Sequence, residues 1–191
     1  DDALKRYEEG DERLELLEYG PQYYQDGVTP LCDDKGTQLV LTTIKDMVAA
    51  QDNEGYRVLK YSPIGVAWSG SKADNDYILE RYSNVLLMKA EALTRQGSSG
   101  AKALFNQIRS YAGAPTIANE PTLQEIYDER GREFFDENWR RNDMIRFGHY
   151  EDEFFPHYKD FPDANFDKRH RIFPVPQNTI NLNGWEQNPG Y

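Results

Sequence analysis

The clearest hydrophobic pattern lies in the middle of the chain, where apolar residues recur at spacings of three and four. One such stripe predicts a helix that begins near Asp76 and ends at Gly97: Leu79, Tyr82, Leu86, Ala90 and Leu93. A second stripe predicts a helix over residues 98–112: Ala101, Leu104, Ile108 and Ala112. The two helices would form a hairpin with a short loop.

Capping residues mark both ends of the second helix, and further start and stop signals predict a third and a fourth helix. Ser98 or Ser99 is the expected N-cap of the second helix, and Gly113 is its expected C-cap. Thr122 and Glu125 have the spacing of a capping box. The remaining predicted helices run from Thr122 to about Asp136, and from Asn138 or Trp139 to about Gly148.

The run Ala90-Glu91-Ala92-Leu93 and the small residues around it resemble one tetratricopeptide unit. The sequence therefore predicts a mainly α fold, with tetratricopeptide-like helix pairs, long irregular loops and a few short strands. Apolar and polar residues alternate over residues 55–61, which predicts one of these strands. We expect a loop-rich, variable region over residues 1–76, a helical core over 77–148, and a loop region with an extended C-terminal tail over 149–191.

The C-terminal tail, residues 172–191, is rich in both turn-forming and apolar residues. Pro174 and Pro176 fix two backbone angles and remove two hydrogen-bond donors, which favours an extended conformation. A tail with this many apolar residues must be held on a folded body. We therefore expect it to pack against the helical core without regular structure, with Trp139 and Trp185 buried.

Composition narrows the classes of partner. The net charge is −11, from 22 Lys and Arg against 33 Asp and Glu, which disfavours binding to nucleic acid or to anionic membrane surfaces. No apolar run approaches the roughly 18 residues that a membrane-spanning helix needs.

The single cysteine, Cys32, excludes an intramolecular disulfide. Aromatic residues make up 13% of the chain. They could serve as core residues or as stacking platforms for sugar rings.

The densest charged cluster lies around the third and fourth predicted helices: Glu129, Arg130, Glu133, Glu137, Arg140, Asp143 and Arg146. Paired carboxylates of this kind could form an acid/base site. The arginines would neutralise them instead, so a structural ion-pair network is the favoured interpretation. We expect Arg140, Asp143 and Arg146 to link helices three and four to neighbouring backbone. No catalytic residue is predicted.

Metal and cofactor motifs are absent or incomplete. Residues 163–167 open like a calcium loop, but Lys168 and Pro174 occupy the positions of its glycine and its bidentate glutamate. The histidines lack metal-ligand spacing: His149, His157 and His170. Phosphate-binding glycine loops, nucleophile elbows and paired cysteines are missing. We therefore predict no metal and no cofactor.

Several motifs in order along the chain resemble the SusD/RagB family, whose members are surface glycan-binding lipoproteins of Bacteroidota. The matching positions are Arg81-Tyr82, Leu86-Leu87-Met88, Ala90-Glu91-Ala92, Asn106 with Arg109, Glu129-Arg130 with Glu133, Glu137, Arg140, Asp143, Arg146, Gly148, and the final Gln187-Asn188-Pro189-Gly190-Tyr191. Asp11-Glu12-Arg13 agrees more loosely. The chain departs from the family pattern at Asn138 and Gly184, where glycine and proline are usual, at Thr179, and at Arg141-Asn142.

This resemblance implies non-catalytic binding of an oligosaccharide at the cell surface and its delivery to a TonB-dependent, SusC-like transporter in the outer membrane. A tetratricopeptide-like hairpin cannot bury its apolar faces alone, so we expect an N-terminal helical segment, outside this sequence, to pack on the predicted helices. The resemblance implies that this segment also carries a lipid anchor. Two other classes stay open. One is a helical scaffold that binds only protein, and the other is a glycoside hydrolase fragment with two carboxylates flanking a sugar cleft.

Three aromatic residues are the candidate sugar platforms. Trp68 lies in a loop of small residues, 65–71, that would leave a face of its indole ring accessible, although the same ring could anchor the loop on the core. Tyr23 and Tyr24 follow Gly20-Pro21 and are the second candidates.

Overall fold

The computed structural model describes residues 4–45, 49–61, 67–70, 72–151 and 168–191. The chain divides into two compact units, residues 3–137 and 138–191. The part of the chain that is described is mainly α-helical, as predicted, and contains these α-helices: α1 (Tyr82–Arg95), α2 (Ala101–Tyr111), α3 (Leu123–Glu133), α4 (Arg140–Phe147) and α5 (Gln177–Asn183). None of the described helices is long and apolar enough to cross a bilayer.

Short antiparallel ladders lie before the helices of the first unit. Their strands are β1 (Leu17–Glu18) with β4 (Arg57–Val58), β2 (Gly20–Pro21) with β3 (Val40–Leu41), and β5 (Trp68–Ser69) with β6 (Lys72–Ala73). The strand predicted over residues 55–61 is therefore reduced to the two residues of β4. Short 3₁₀ helices at Leu4–Arg6 and Glu12–Leu16 precede the ladders.

The core of the first unit is the contact of α1 with α2 and α3. Leu86, Leu87 and Ala90 of α1 are buried there. Their partners in the core include Phe105 and Ile108 of α2 and Ile126 of α3. Because two helices pack on α1, its buried face is a wide arc that includes the consecutive residues Leu86 and Leu87.

The predicted stripe of the first helix is wrong at its start. The helix begins at Tyr82 rather than near Asp76, so Leu79 precedes it and is 79% exposed. Tyr82 itself is exposed as well. The buried arc centres on Leu87, and Tyr82 points away from it because of the 100° turn per residue. Val85 and Met88, on the outer face of α1, are also exposed.

The start of the second helix also differs from the prediction. Neither Ser98 nor Ser99 caps it, and α2 begins after Gly100, whose φ of +106° favours glycine. The carboxylate of Glu120 accepts hydrogen bonds from the backbone N–H of Gly100 at 2.9 Å and of Lys102 at 2.7 Å. A side chain distant in sequence therefore takes the place of a local cap.

The third helix begins as predicted. Thr122 and Glu125 form both halves of the capping box. After α3, Asp136 and Asn138 both have a φ of +61°. Asparagine tolerates this left-handed conformation better than most residues. This explains how Asn138 can stand where the family usually has glycine.

The tail contains a helix that the sequence did not predict. Pro176 is the N-cap of α5, and proline is compatible with a helix start because no intrahelical donor is needed there. Gly184 ends the helix in a left-handed conformation. Trp185 is 60% exposed, so the expectation that it is buried is wrong. Trp139 is half-buried.

Hydrogen bonds nonetheless hold the tail within the second unit. The side-chain amide of Gln187 accepts from Val175 N at 2.7 Å and donates to Val175 O at 2.9 Å. The Tyr191 hydroxyl donates to Ile172 O at 2.9 Å. Arg141 of α4 places its guanidinium 4.3 Å from the centre of the Phe173 ring. The tail is thus fixed mainly by polar contacts, which explains how its tryptophan can stay exposed.

Candidate functional site

A fully buried carboxylate, that of Glu129 on α3, lies at the centre of the charged cluster in the first unit. It accepts hydrogen bonds from Arg13 at 2.8 Å, from Arg109 at 2.9 Å and from Arg132 at 2.7 Å. These arginines come from the second 3₁₀ helix, from α2 and from α3. One carboxylate therefore connects three segments of the first unit.

The cluster continues through two more carboxylates at the end of α3. Arg13 also binds Glu133 at 2.8 Å, and Arg81 binds both Glu133 and Glu137, the latter at 2.9 Å. Lys60, just beyond β4, forms an ion pair with Glu137 and donates to the backbone carbonyl of Glu133 at 2.8 Å. These contacts attach the strand region to the helices.

The electrostatics of this network suit a structural role. Burial alone would raise the pKa of Glu133, but the charges and hydrogen bonds of Arg81 and Arg13 outweigh it and lower that pKa below its usual value. A glycosidase general acid needs a raised pKa instead. The network therefore lacks the feature that would make Glu133 a general acid.

The structure groups these charged residues differently from the sequence analysis. Asp143 is buried on α4 in the second unit, where it accepts a hydrogen bond from Arg146 at 3.0 Å. Arg130 donates to Asn84 at 2.6 Å, and its guanidinium lies 4.9 Å from the Phe134 ring centre.

Five basic residues of the network were absent from the predicted cluster: Arg13, Lys60, Arg81, Arg109 and Arg132. Arg109 carried a usable signal, because it lies four residues after Phe105 on the buried face of α2. A charged residue on such a face needs a buried partner.

Two of the three predicted sugar platforms have described side chains. Tyr23 is 47% exposed and Tyr24 is 56% exposed, so both rings are accessible to a ligand. They follow β2, and Tyr23 forms an isolated antiparallel bridge with Pro30. The backbone of Trp68 forms part of β5, but its side chain lies outside the described residues. The choice of these three residues stays a prediction.

Tyrosine pairs that the sequence analysis missed lie near the same ladders. Tyr19 and Tyr56 are stacked, with ring centres 4.8 Å apart and an interplanar angle of 21°. Tyr61 and Tyr77 are stacked similarly, with centres 4.9 Å apart. β1 and β4 are distant in sequence and only two residues long, so their register, and with it the Tyr19–Tyr56 pair, could not be read from the sequence.

No group of three or more His, Cys, Asp or Glu side chains in the described part of the chain could hold a metal ion. The incomplete calcium loop, residues 163–167, and His157 lie outside the described residues.

The fold and its surface define a mainly helical protein that carries exposed aromatic residues on short ladders and loops. The family model described as the SusD family matches residues 1–191, and the chain belongs to that family.

Similarity to individual proteins agrees with the family match. The chain is 33% identical over 122 residues to the starch-binding protein SusD of Bacteroides thetaiotaomicron, a match that covers 62% of this chain and 22% of that protein. Its structure is similar to surface glycan-binding protein A from Bacteroides thetaiotaomicron, with a TM-score of 0.69 and 26% identity over 97% of this chain and 39% of that one.

A second similar structure is that of a protein with its ligand bound. Surface glycan-binding protein A with laminarihexaose matches with a TM-score of 0.68 and 25% identity, over 96% of this chain and 39% of that one. The chain thus spans well under half the length of these relatives.

Proposed function

We propose that the protein binds an oligosaccharide at the cell surface without cleaving it. The observation that carries this proposal is the match, over 96% of the chain, to a surface glycan-binding protein solved with laminarihexaose. The exposed tyrosines of the first unit support it, because sugar rings bind through their C–H faces to aromatic rings. Trp68, Tyr23 and Tyr24 are the proposed contacts, with hydrogen bonds from nearby polar groups.

The proposed partners and location are supported by family membership. We propose that the bound oligosaccharide passes to a TonB-dependent, SusC-like transporter at the outer membrane. We also propose that a further, N-terminal part of the protein carries the lipid anchor and covers the helices of the first unit. The exposed apolar residues Val85 and Met88 on α1 support such a cover, because helices with apolar residues on all sides are normally buried.

An enzymatic function has less support. The carboxylates of the first-unit network are paired with arginines, and the pKa of Glu133 is lowered rather than raised, because the arginines outweigh its burial. A protein-binding scaffold is favoured by one observation, the exposed apolar face of α1, and that face is also explained by the proposed cover.

A titration with laminarihexaose and with maltohexaose tests the proposed function against both alternatives. We expect a saturable change in tryptophan fluorescence with at least one glucan and no release of new reducing ends. New reducing ends would indicate a hydrolase. Absence of binding to both glucans would contradict the proposal and leave the scaffold function.

A further inference from the structure

The stacked pair Tyr19 and Tyr56 is a cross-strand pair at the end of a ladder. In the register of β1 and β4, Leu17 lies opposite Val58 and Glu18 lies opposite Arg57. Tyr19 and Tyr56 are the next residues on each strand, so their side chains meet directly across the ribbon. The chain then turns at Gly20, whose φ is +80°. The pair therefore ends the ladder at a corner of the first unit.

The exposure of Tyr19 leaves room for a ligand. A ring that is stacked on one face and open on the other keeps about half of its accessible surface, and Tyr19 is 51% exposed while Tyr56 is half-buried. Within the described residues, neither phenol hydroxyl has a hydrogen-bond partner in the protein. Tyr19 thus combines an open ring face with a hydroxyl that is available to a sugar hydroxyl.

The ribbon that carries this pair is firmly attached to the helices. Leu59 N donates to Leu16 O at 2.8 Å, which extends the ladder on the other side from the tyrosines. The next residue, Lys60, binds Glu137 and the carbonyl of Glu133. A ring held in this way loses little conformational entropy when a ligand binds, and this favours affinity.

Position and charge indicate the ligand class. Tyr23 follows Tyr19 by four residues, so the backbone limits the separation of their Cα atoms to about 14 Å. An extended oligosaccharide several rings long could therefore contact both tyrosines. The net charge of −11 opposes polyanionic glycans such as oligouronides. A neutral oligosaccharide fits both constraints, and the glucan laminarihexaose, bound by the similar surface glycan-binding protein, is such a chain.

We propose that Tyr19, held in place by Tyr56, is a stacking platform for a neutral glucan chain that extends toward Tyr23. This inference rests on the proposed function and adds to it a contact residue and a ligand class. The competing role is purely structural, because stacked cross-strand tyrosines also stabilise a ribbon. A test must therefore separate the sugar contact from ribbon stability.

The test is calorimetric titration of the chain with laminarihexaose and with maltohexaose, using three variants. Tyr19→Leu removes the ring, Tyr19→Phe keeps the ring face, and Tyr111→Leu removes a 91% exposed tyrosine on α2 as a matched control. We expect Tyr19→Leu to weaken binding about tenfold, since a well-stacked ring contributes roughly that factor. Tyr19→Phe should retain affinity within about threefold, and Tyr111→Leu should bind like the parent.

The possible outcomes separate this inference from the proposed function. If the parent binds a glucan and Tyr19→Leu binds it equally well, the platform is wrong and the proposed function stands. If the parent binds neither glucan, the Tyr19 platform and the proposed function are both wrong. Should Tyr19→Leu fail to fold, NMR of the parent protein provides the test instead. We expect the ring resonances of Tyr19 to shift at saturating glucan, and unchanged resonances would overturn the proposal.

Discussion

Arg13 and Glu129 are 116 residues apart in sequence, yet the arginine donates a hydrogen bond of 2.8 Å to the carboxylate. The Glu129 side chain is fully buried, and the Arg13 side chain is 11% exposed. The contact fixes the segment before the ladders onto α3. Because Arg109 and Arg132 share the same carboxylate, its buried charge is well compensated.

Removal of Arg13 should destabilise the first unit. We expect Arg13→Met to lower the free energy of unfolding by about 3 kcal/mol, because it leaves part of the buried charge on Glu129, Glu133 and Asp11 uncompensated. Arg95→Met is the matched control, since its ion pair with Glu91 lies on one helix and the Arg95 side chain is 42% exposed. Its cost should stay below about 1 kcal/mol. Urea unfolding measures both, and equal costs would contradict a special role for Arg13.

Acid should weaken the same network. Burial alone would raise the pKa values of Glu133 and Asp11, but their arginine partners lower both. A lowered folded-state pKa contributes stability above the unfolded-state pKa, which is 4.5 for Glu133, and this stability is lost as pH falls toward the folded-state pKa. We therefore expect unfolding free energy to decrease as pH falls below about 4.5. The decrease should be shallower in Glu133→Gln, and an identical slope would show that Glu133 does not contribute.

Asp143 should be a stability residue of the second unit with no part in ligand binding. Its side chain is 1% exposed, while that of its partner Arg146 is 44% exposed. We expect Asp143→Ala to lower the free energy of unfolding by about 2 kcal/mol, because the groups that donate to this buried carboxylate lose a charged acceptor. The cost of about 3 kcal/mol expected for a buried partner does not apply, since Arg146 is partly exposed. Arg146→Ala should cost under about 1 kcal/mol. Wild-type stability combined with lost glucan binding in Asp143→Ala would contradict this role.

The sequence predicted those elements whose causes are local. The capping box of Thr122 and Glu125 and the left-handed Gly148 after α4 are read directly from neighbouring residues. The start of α2 was missed because its N–H groups are capped by a distant side chain. Glu120 lies 18 to 20 residues from Gly100 and Lys102, whose backbone N–H groups donate to it. Likewise, the exposure of Trp185 depends on polar contacts of the tail that no periodicity encodes.

The candidate site was less predictable than the fold. Exposed tyrosines could be suggested from their position after Gly20-Pro21, but the pairing of Tyr19 with Tyr56 depends on the register of a ladder with only two residues per strand. Register follows from tertiary contacts such as Lys60 with Glu137, which join distant parts of the chain. The charged network could be recognised as structural because arginines accompany its carboxylates in the sequence. Two of the arginines that pair with Glu129 and Glu133 could not be identified in this way, because Arg13 and Arg81 come from distant segments.

Removal of the last ten residues should loosen the second unit. The truncation deletes Gln187 and Tyr191, which bind the backbone of Val175 and Ile172. We expect faster cleavage by trypsin near Arg169 and Arg171, because that segment loses the contacts that hold it. Limited proteolysis followed by mass spectrometry measures this. A digestion pattern identical to that of the parent would mean that the tail is not structurally required.

The outer face of α1 leads to the last prediction. Tyr82, Val85 and Met88 are exposed there, while Leu86 and Leu87 are buried against α2 and α3. A single tetratricopeptide-like hairpin does not bury its own apolar faces, and stable arrays need about three or more units. We therefore expect residues 1–191 alone to bind a hydrophobic dye, and to bind less of it when expressed with the proposed N-terminal segment. Val85→Glu, which places a charge on this face, should also reduce dye binding, whereas Lys89→Glu serves as the control. A cooperative thermal melt of residues 1–191 without dye binding would show that the chain is a self-sufficient domain and that the α1 face needs no cover.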